Sequence, residues 1–130
     1  MSKLTPIIMV VEDEELLLKA ITKKLEINGM KVISCVSGKQ ALDYLSNISE
    51  IPDAIWLGYY LKDMNGLEFM EELKKNPQWS KIPVMVVSNS ASSEKVHSML
   101  ALGAKEYLLK AQYRLDDLIN IINDLIIKSQ

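Results

Sequence analysis

Residues 52–61, PDAIWLGYYL, decide how the chain is read. Pro52 starts the segment and DAIWL follows it as a strand, since Ile55, Trp56 and Leu57 are large, apolar and good strand formers. The strand runs into a loop at Gly58, the residue type least able to strengthen it. A bare backbone at that point needs a reason, and the reason depends on what surrounds it.

Outward from this strand, apolar runs alternate with segments of helical spacing. PIIMVV (6–11) is β-rich and suited to a strand covered on both faces. Residues 14–29 place Leu17, Ala20, Ile21 and Leu25 at helical spacing and close on Asn28-Gly29, a helix stop. MKVISCV (30–36) is a second strand, and residues 37–48 form a short helix capped by Ser37. After the third strand come a helix over 65–77 stopped by Pro77, the strand IPVMVVS (82–88), a helix over 92–104 ending near Gly103, and the strand KEYLL (105–109). The last helix, 115–128, carries Leu115, Leu118, Ile119, Ile122, Leu125 and Ile126 on one face. Strands alternating with helices long enough to cross over predict an α/β fold. The expected architecture is a doubly wound, five-stranded parallel sheet with five helices, flavodoxin-like in arrangement.

The 130 residues suit a single domain, taken as residues 1–130, with no repeat or linker. A chain of this size buries roughly two-thirds of the surface its unfolded form exposes. Its 48% hydrophobic and 25% charged residues place it among globular proteins. A formal net charge of −2 gives no reason to expect broad binding to nucleic acid or to an anionic membrane. MSKLTP leads into only a short apolar run, and no run approaches the about 20 apolar residues of a membrane span. With Cys35 as the sole cysteine, no intramolecular disulfide is expected, and the chain is read as cytoplasmic.

In a doubly wound sheet the site lies beyond the carboxyl ends of the strands, where the strand order switches. There the sequence places Glu12, Asp13 and Glu14 after the first strand, Gly58 and Tyr59 after the third, Ser88 and Asn89 after the fourth, and Lys110 at the end of the fifth. Carboxylates suit a hard divalent cation, and a hydroxyl with an ammonium suits phosphoryl oxygens. Each residue has a plainer reading: an acidic cluster favours a helix dipole, a serine serves a turn, a lysine is a solvated charge. Their coincidence at the ends of different strands carries the argument.

VVEDEE (10–15), PDAIWL (52–57), LKDMNGLEF (61–69), IPVMVVS (82–88) and GAKEYLLK (103–110) occur in the order and spacing of the receiver domain of two-component response regulators. The chain resembles that family from about Ile7 to Lys128. The resemblance implies that Glu12 and Asp13 bind Mg²⁺ with the backbone carbonyl of Tyr60. It also implies that Ser88 is the switch hydroxyl, that Tyr107 is the aromatic whose rotation reports the active state, and that Lys110 contacts the phosphoryl group. Gly66 matches the turn glycine after the third strand. Gly58 falls where receivers carry the aspartate that takes the phosphoryl group from a histidine kinase or phosphotransfer protein. Ala111 departs from the proline usual after the lysine.

Glycine has no nucleophile, so this chain is expected to form no aspartyl phosphate at position 58. Asp63 lies in the loop with poor expected geometry, and Asp53 starts the strand at the opposite end of the sheet. Losing one of three anionic ligands predicts weak Mg²⁺ binding or none. Either an acceptor has been lost by substitution or the protein is a natural pseudo-receiver that works by binding alone. A third reading is that Gly58 merely admits a close neighbour.

His97, the sole histidine, is expected on the surface or in packing, and the seven methionines as core gap-fillers. Trp79 is read as a packing anchor and Cys35 as a buried small hydrophobe. Ile121 and Ile127 lie off the main apolar face of the last helix, which suggests either burial or a homodimer through that helix. Three functions are weighed: a signalling receiver without its acceptor, a constitutive protein-interaction domain, and a flavodoxin-like enzyme or nucleotide binder. The third lacks support, since neither GxGxxG nor GxxxxGK occurs. The chain is therefore not expected to be an enzyme. With no reading helix for DNA evident, its downstream partner is expected to be an unidentified protein.

Overall fold

The computed structural model describes residues 5–129; residues 1–4, at the head of the MSKLTP stretch, and Gln130 lie outside them. Five strands, β1 (Ile7–Val11), β2 (Lys31–Cys35), β3 (Ala54–Gly58), β4 (Val84–Ser88) and β5 (Glu106–Leu109), pair in parallel in the order β2-β1-β3-β4-β5. The helices are α1 (Glu15–Ile27), α2 (Gly38–Asn47), α3 (Gly66–Lys74), α4 (Ser93–Ala101) and α5 (Leu115–Lys128). This is the expected flavodoxin-like α/β fold. The strand order reverses between β1 and β3, which are direct neighbours, with Val10 opposite Trp56 and Val11 opposite Leu57.

Side-chain alternation divides the sheet between two cores. Ile8, Val10, Trp56, Met85 and Val87 face one way and pack with Leu18, Ile21 and Leu25 of α1 and Leu118, Ile119, Ile122 and Ile126 of α5. Met9, Val11, Ile55, Leu57 and Val86 face the other way, against Ala41 and Leu45 of α2, Phe69, Met70 and Leu73 of α3 and Met99 of α4. Covering on both faces is why β1, β3 and β4 are buried along their whole length and read as unbroken apolar runs. The edge strands β2 and β5 are only partly buried.

Local signals set the helix ends. The Ser37 hydroxyl accepts from the Gln40 N–H, and the Ser92 hydroxyl from the Lys95 N–H. Asn65 and Glu68 form a reciprocal capping box at the start of α3. Gly29 and Gly103, with φ of 83° and 104°, take the left-handed conformation that ends α1 and α4.

Several expectations shift. On α1 the buried face is Leu18, Ile21 and Leu25; Ala20 is exposed and Leu17 only half-buried. The helix carries apolar residues on more than one stripe, and contact with β1 and β2 selects the phase. Strand β3 extends one residue further than DAIWL, because the Gly58 backbone pairs opposite Val87 of β4. Helix α3 ends at Lys74, before Pro77 is reached.

Cys35 is fully buried, and burial pushes its thiol up to about 12. His97 is exposed, and Trp79 packs half-buried against the α2–α3 side of the core. Met9, Met30, Met70, Met85 and Met99 are buried. Ile121 packs against the α5 core, whereas Ile127 is 56% exposed. No helix among the described residues is long and apolar enough to cross a membrane.

Candidate functional site

The switch between β1 and β3 opens a cleft of about 80 Å³ lined by Glu12, Asp13, Gly58, Tyr60, Ser88 and Lys110, among others. The chain thus gathers residues from the ends of four strands.

Glu12 continues β1 by one residue: its N–H donates to the Cys35 carbonyl at 2.9 Å. Its side chain is buried, at 9% exposure. One oxygen accepts from the Glu14 N–H at 3.0 Å, and the other lies 3.9 Å from Lys110 Nζ. Burial raises the Glu12 pKa above the ordinary carboxylate value, and the neighbouring Asp13 adds to the rise. The Glu14 N–H and the Lys110 ammonium oppose it without cancelling it. Asp13 is half-buried and Glu14 exposed.

Gly58 closes β3 at the middle of this rim. Only Gly29 and Gly103 have positive φ among the described residues, so the backbone at 58 does not demand glycine. A Cβ there would lie 3.4 Å from Glu12 Oε1, 3.7 Å from Leu61 Cδ2 and 3.3 Å from the Val11 carbonyl oxygen. A side chain at this position would therefore emerge beside the Glu12 carboxylate. The Val11 carbonyl would have to yield by a few tenths of an ångström, so close approach accounts for the glycine only weakly.

Ser88 ends β4 with 3% exposure, and its hydroxyl accepts from the Ser90 N–H at 3.3 Å. Lys110 opens a short 3₁₀ turn (Lys110–Gln112) directly after β5, with its side chain 29% exposed. Tyr107 does not line the cleft. It stands half-buried on β5, and its hydroxyl donates to the Ser90 carbonyl at 2.9 Å. Tyr60 is exposed, with its backbone bridged to Asn65. The Gly66 N–H donates to the Tyr59 carbonyl at 2.6 Å, and a Cβ on Gly66 would sit 3.1 Å from the Tyr59 ring. A side chain at 66 would require the Tyr59 ring and Met99 to yield by a few tenths of an ångström.

Asp63 and Asp53, the two other aspartates weighed for the acceptor role, are committed elsewhere. Asp63 accepts from the Gly38 and Lys39 N–H groups at 3.0 and 2.8 Å, at the start of α2. Partial burial pushes its pKa up, but those N–H groups, its own N–H and the Lys39 charge outweigh burial and hold it below the usual value. Asp53 lies at the other end of the sheet and accepts from the Ile7 N–H at 2.8 Å.

Chemically, the cleft offers carboxylate oxygens, a hydroxyl and an ammonium, with no nucleophile at the end of β3. Sequence reasoning missed the surrounding aromatic group, in which Tyr59, Tyr60 and Lys95 contact one another. The adjacent pair Tyr59-Tyr60 was its one visible trace.

The family model described as response regulator receiver domain matches residues 8–123. The two-component response regulator ORR8 of rice (Oryza sativa subsp. indica) is 30% identical over 106 residues, covering 82% of this chain and 87% of that protein. The KDP operon transcriptional regulatory protein KdpE of Escherichia coli is 36% identical over 104 residues, covering 79% of this chain but 44% of that protein. Among solved structures, a CheY-like response regulator receiver domain protein from Methanospirillum hungatei superposes with a TM-score of 0.87 at 24% identity, covering 96% of each chain.

Proposed function

Because the chain belongs to the response regulator receiver domain family of two-component systems, we propose that it is a receiver whose phosphoryl-acceptor position is occupied by Gly58. It then signals through protein–protein contact. The observation that carries this reading is the direction a side chain at 58 would take: its Cβ lies 3.4 Å from Glu12 Oε1, in a cleft that Ser88 and Lys110 also line. A carboxylate there could attack a phosphodonor, forming an oxygen–phosphorus bond as the donor's leaving group departs. Glycine supplies no atom for that bond.

In this reading Ser88 and Tyr107 are the switch pair and Lys110 is the phosphoryl contact. Asp63 cannot replace the acceptor while its carboxylate caps α2. The chain acts as a binding module and not as an enzyme. Its upstream partner is a histidine kinase or phosphotransfer protein and its output another protein, in the cytoplasm. The net charge of −2 supports neither nucleic acid nor membrane as partner. A homodimer through α5 would use the exposed Ile127; Ile121 is already packed inward.

Mg²⁺ would be held by Glu12, Asp13 and the Tyr60 carbonyl, which fit the ion in kind because all are oxygen donors. Bound there, it would neutralise the crowded carboxylates. The residues themselves favour weak binding, since position 58 adds no charge and Glu12 already accepts from Glu14 and faces Lys110.

One observation favours the alternative, a natural pseudo-receiver acting as a constitutive interaction domain. The Val11 carbonyl lies closer to a Cβ at 58 than ordinary contact allows, as though the strands had settled around glycine. Incubation with acetyl phosphate and Mg²⁺, read by intact mass, separates the two. Phosphoryl gain by Gly58→Asp alone supports the acceptor-less receiver. No gain by either chain supports the constitutive module.

A further inference from the structure

Helix α4 buries the fewest residues of the five helices. Its one buried residue is Met99, whereas α1 and α2 bury three residues each and α3 and α5 four each. What packing does not supply, a group of polar and aromatic contacts at its first turn does. Ser90 is the node of that group. Its N–H donates to the Ser88 hydroxyl at 3.3 Å, its carbonyl accepts from the Tyr107 hydroxyl at 2.9 Å, and its own hydroxyl accepts from Lys95 Nζ at 3.3 Å.

Lys95 also donates to the Tyr60 hydroxyl, and its ammonium lies 4.6 Å from the Tyr60 ring centroid and 5.4 Å from that of Tyr59. The Tyr59 ring meets Tyr60 edge-on at 4.9 Å and stands 6.1 Å from Tyr107. One ammonium therefore joins the loop after β3, the loop after β4 and the helix that carries it.

We propose that Lys95 and Tyr60 form a clasp that holds α4 against the loop after β3 and fixes the Tyr107 ring through Ser90. The clasp can be undone from outside, since Tyr60 is 56% exposed. A partner that draws Tyr60 away together with the Lys95 ammonium frees the Ser90 hydroxyl and loosens Tyr107, which gives the α4–β5 side of the molecule a release that involves no covalent step. That regulatory role rests on the acceptor-less reading given above, whereas the clasp itself does not. Each contact is individually small, but α4 has little else to hold it, so small contacts decide its opening.

The test uses the native chain, Lys95→Met and Tyr60→Phe, which keep the stem and the ring, and the double variant. Lys39→Met is the control: it breaks another exposed lysine contact, to Asp43, away from α4. The readouts are amide hydrogen exchange over residues 90–101 and the NMR ring signals of Tyr107. Each single variant is expected to speed exchange in the first turn of α4 by about two- to fivefold: Lys95→Met on the scale of an exposed cation–aromatic contact, Tyr60→Phe on that of one net hydrogen bond. Each should also shift the Tyr107 signals. The double variant is expected to go no further than the singles, because the two groups act as one unit. Unchanged Tyr107 signals and α4 exchange in both singles overturn the clasp. So do additive effects in the double variant, or an equal response in Lys39→Met. All readouts are made without phosphodonor or Mg²⁺, so their failure leaves the account of position 58 standing, and failure of that account leaves the clasp standing.

Discussion

Trp56 and Gly58 stand two residues apart on one strand and point to the same face of the sheet, yet they belong to opposite regimes. Trp56 is 2% exposed and packed between α1 and α5; Gly58 offers no side chain, at a rim where carboxylates, a hydroxyl and an ammonium meet. The sheet interior holds the fold through apolar burial. The rim carries buried charge that does little for stability and suits chemistry. On the proposed reading, the difference makes position 58 a functional gap in a structurally complete molecule. Substitutions in the interior should therefore act on folding, and those at the rim on ions and protons.

The largest effect should come from the interior. Trp56→Ala is expected to destabilise the protein by about 3–5 kcal/mol, measured by denaturant unfolding. A loss no larger than that of rim substitutions would erase the contrast. The next effect belongs to the rim. If Glu12 and Asp13 hold Mg²⁺ as proposed, Gly58→Asp adds a third anionic oxygen beside them and should tighten Mg²⁺ binding about tenfold over the native chain by titration. Equal affinity would mean that the site does not extend to position 58.

Two carboxylates sharpen the comparison through pH. The folded-state pKa of Glu12 is raised, so the folded chain holds this proton more tightly than the unfolded chain. Stability should fall as pH rises from the ordinary carboxyl value of 4.5 through the raised folded value, and the penalty is complete above it. Without Mg²⁺, Glu12→Gln is expected to flatten that slope and to stabilise the protein near neutral pH by roughly 0.5–2 kcal/mol, read as a shift in unfolding midpoint. A loss of stability at neutral pH would show that the Lys110 contact outweighs burial.

Asp63 has the opposite sign. Its folded pKa is lowered from 3.8, so its contribution is present above that value and disappears as pH falls through the folded one. Asp63→Asn should cost about 0.3–1 kcal/mol, less at high salt, through the weakened start of α2. Unchanged stability at neutral pH and low salt would deny it the capping role.

Most of the fold was legible because β1, β3 and β4, covered on both faces, leave unbroken apolar runs that local pattern can find. The rim residues were legible for a topological reason: once the strands are placed, the residues that follow them must gather. The phase of α1 was not, because its apolar residues span more than one stripe and only contact with the sheet favours Leu18 over Ala20. The end of β3 was misplaced by one residue, since a bare glycine gives no local sign that its backbone pairs with β4. The cap that Asp63 provides to α2 and the contact between Lys95 and Tyr60 join residues 25 and 35 apart, beyond any periodicity.

The central claim is that position 58 alone withholds phosphoryl chemistry from this receiver. The most direct measurement is intact mass, with peptide mapping of any modified residue, after exposure to acetyl phosphate and Mg²⁺. It should be applied to the native chain, Gly58→Asp and Gly58→Asp combined with Asp63→Asn. The account predicts no phosphoryl group on the native chain and one on each variant, mapped to residue 58. A phosphoryl group on the native chain, or on Asp63 in any of the three, would contradict it.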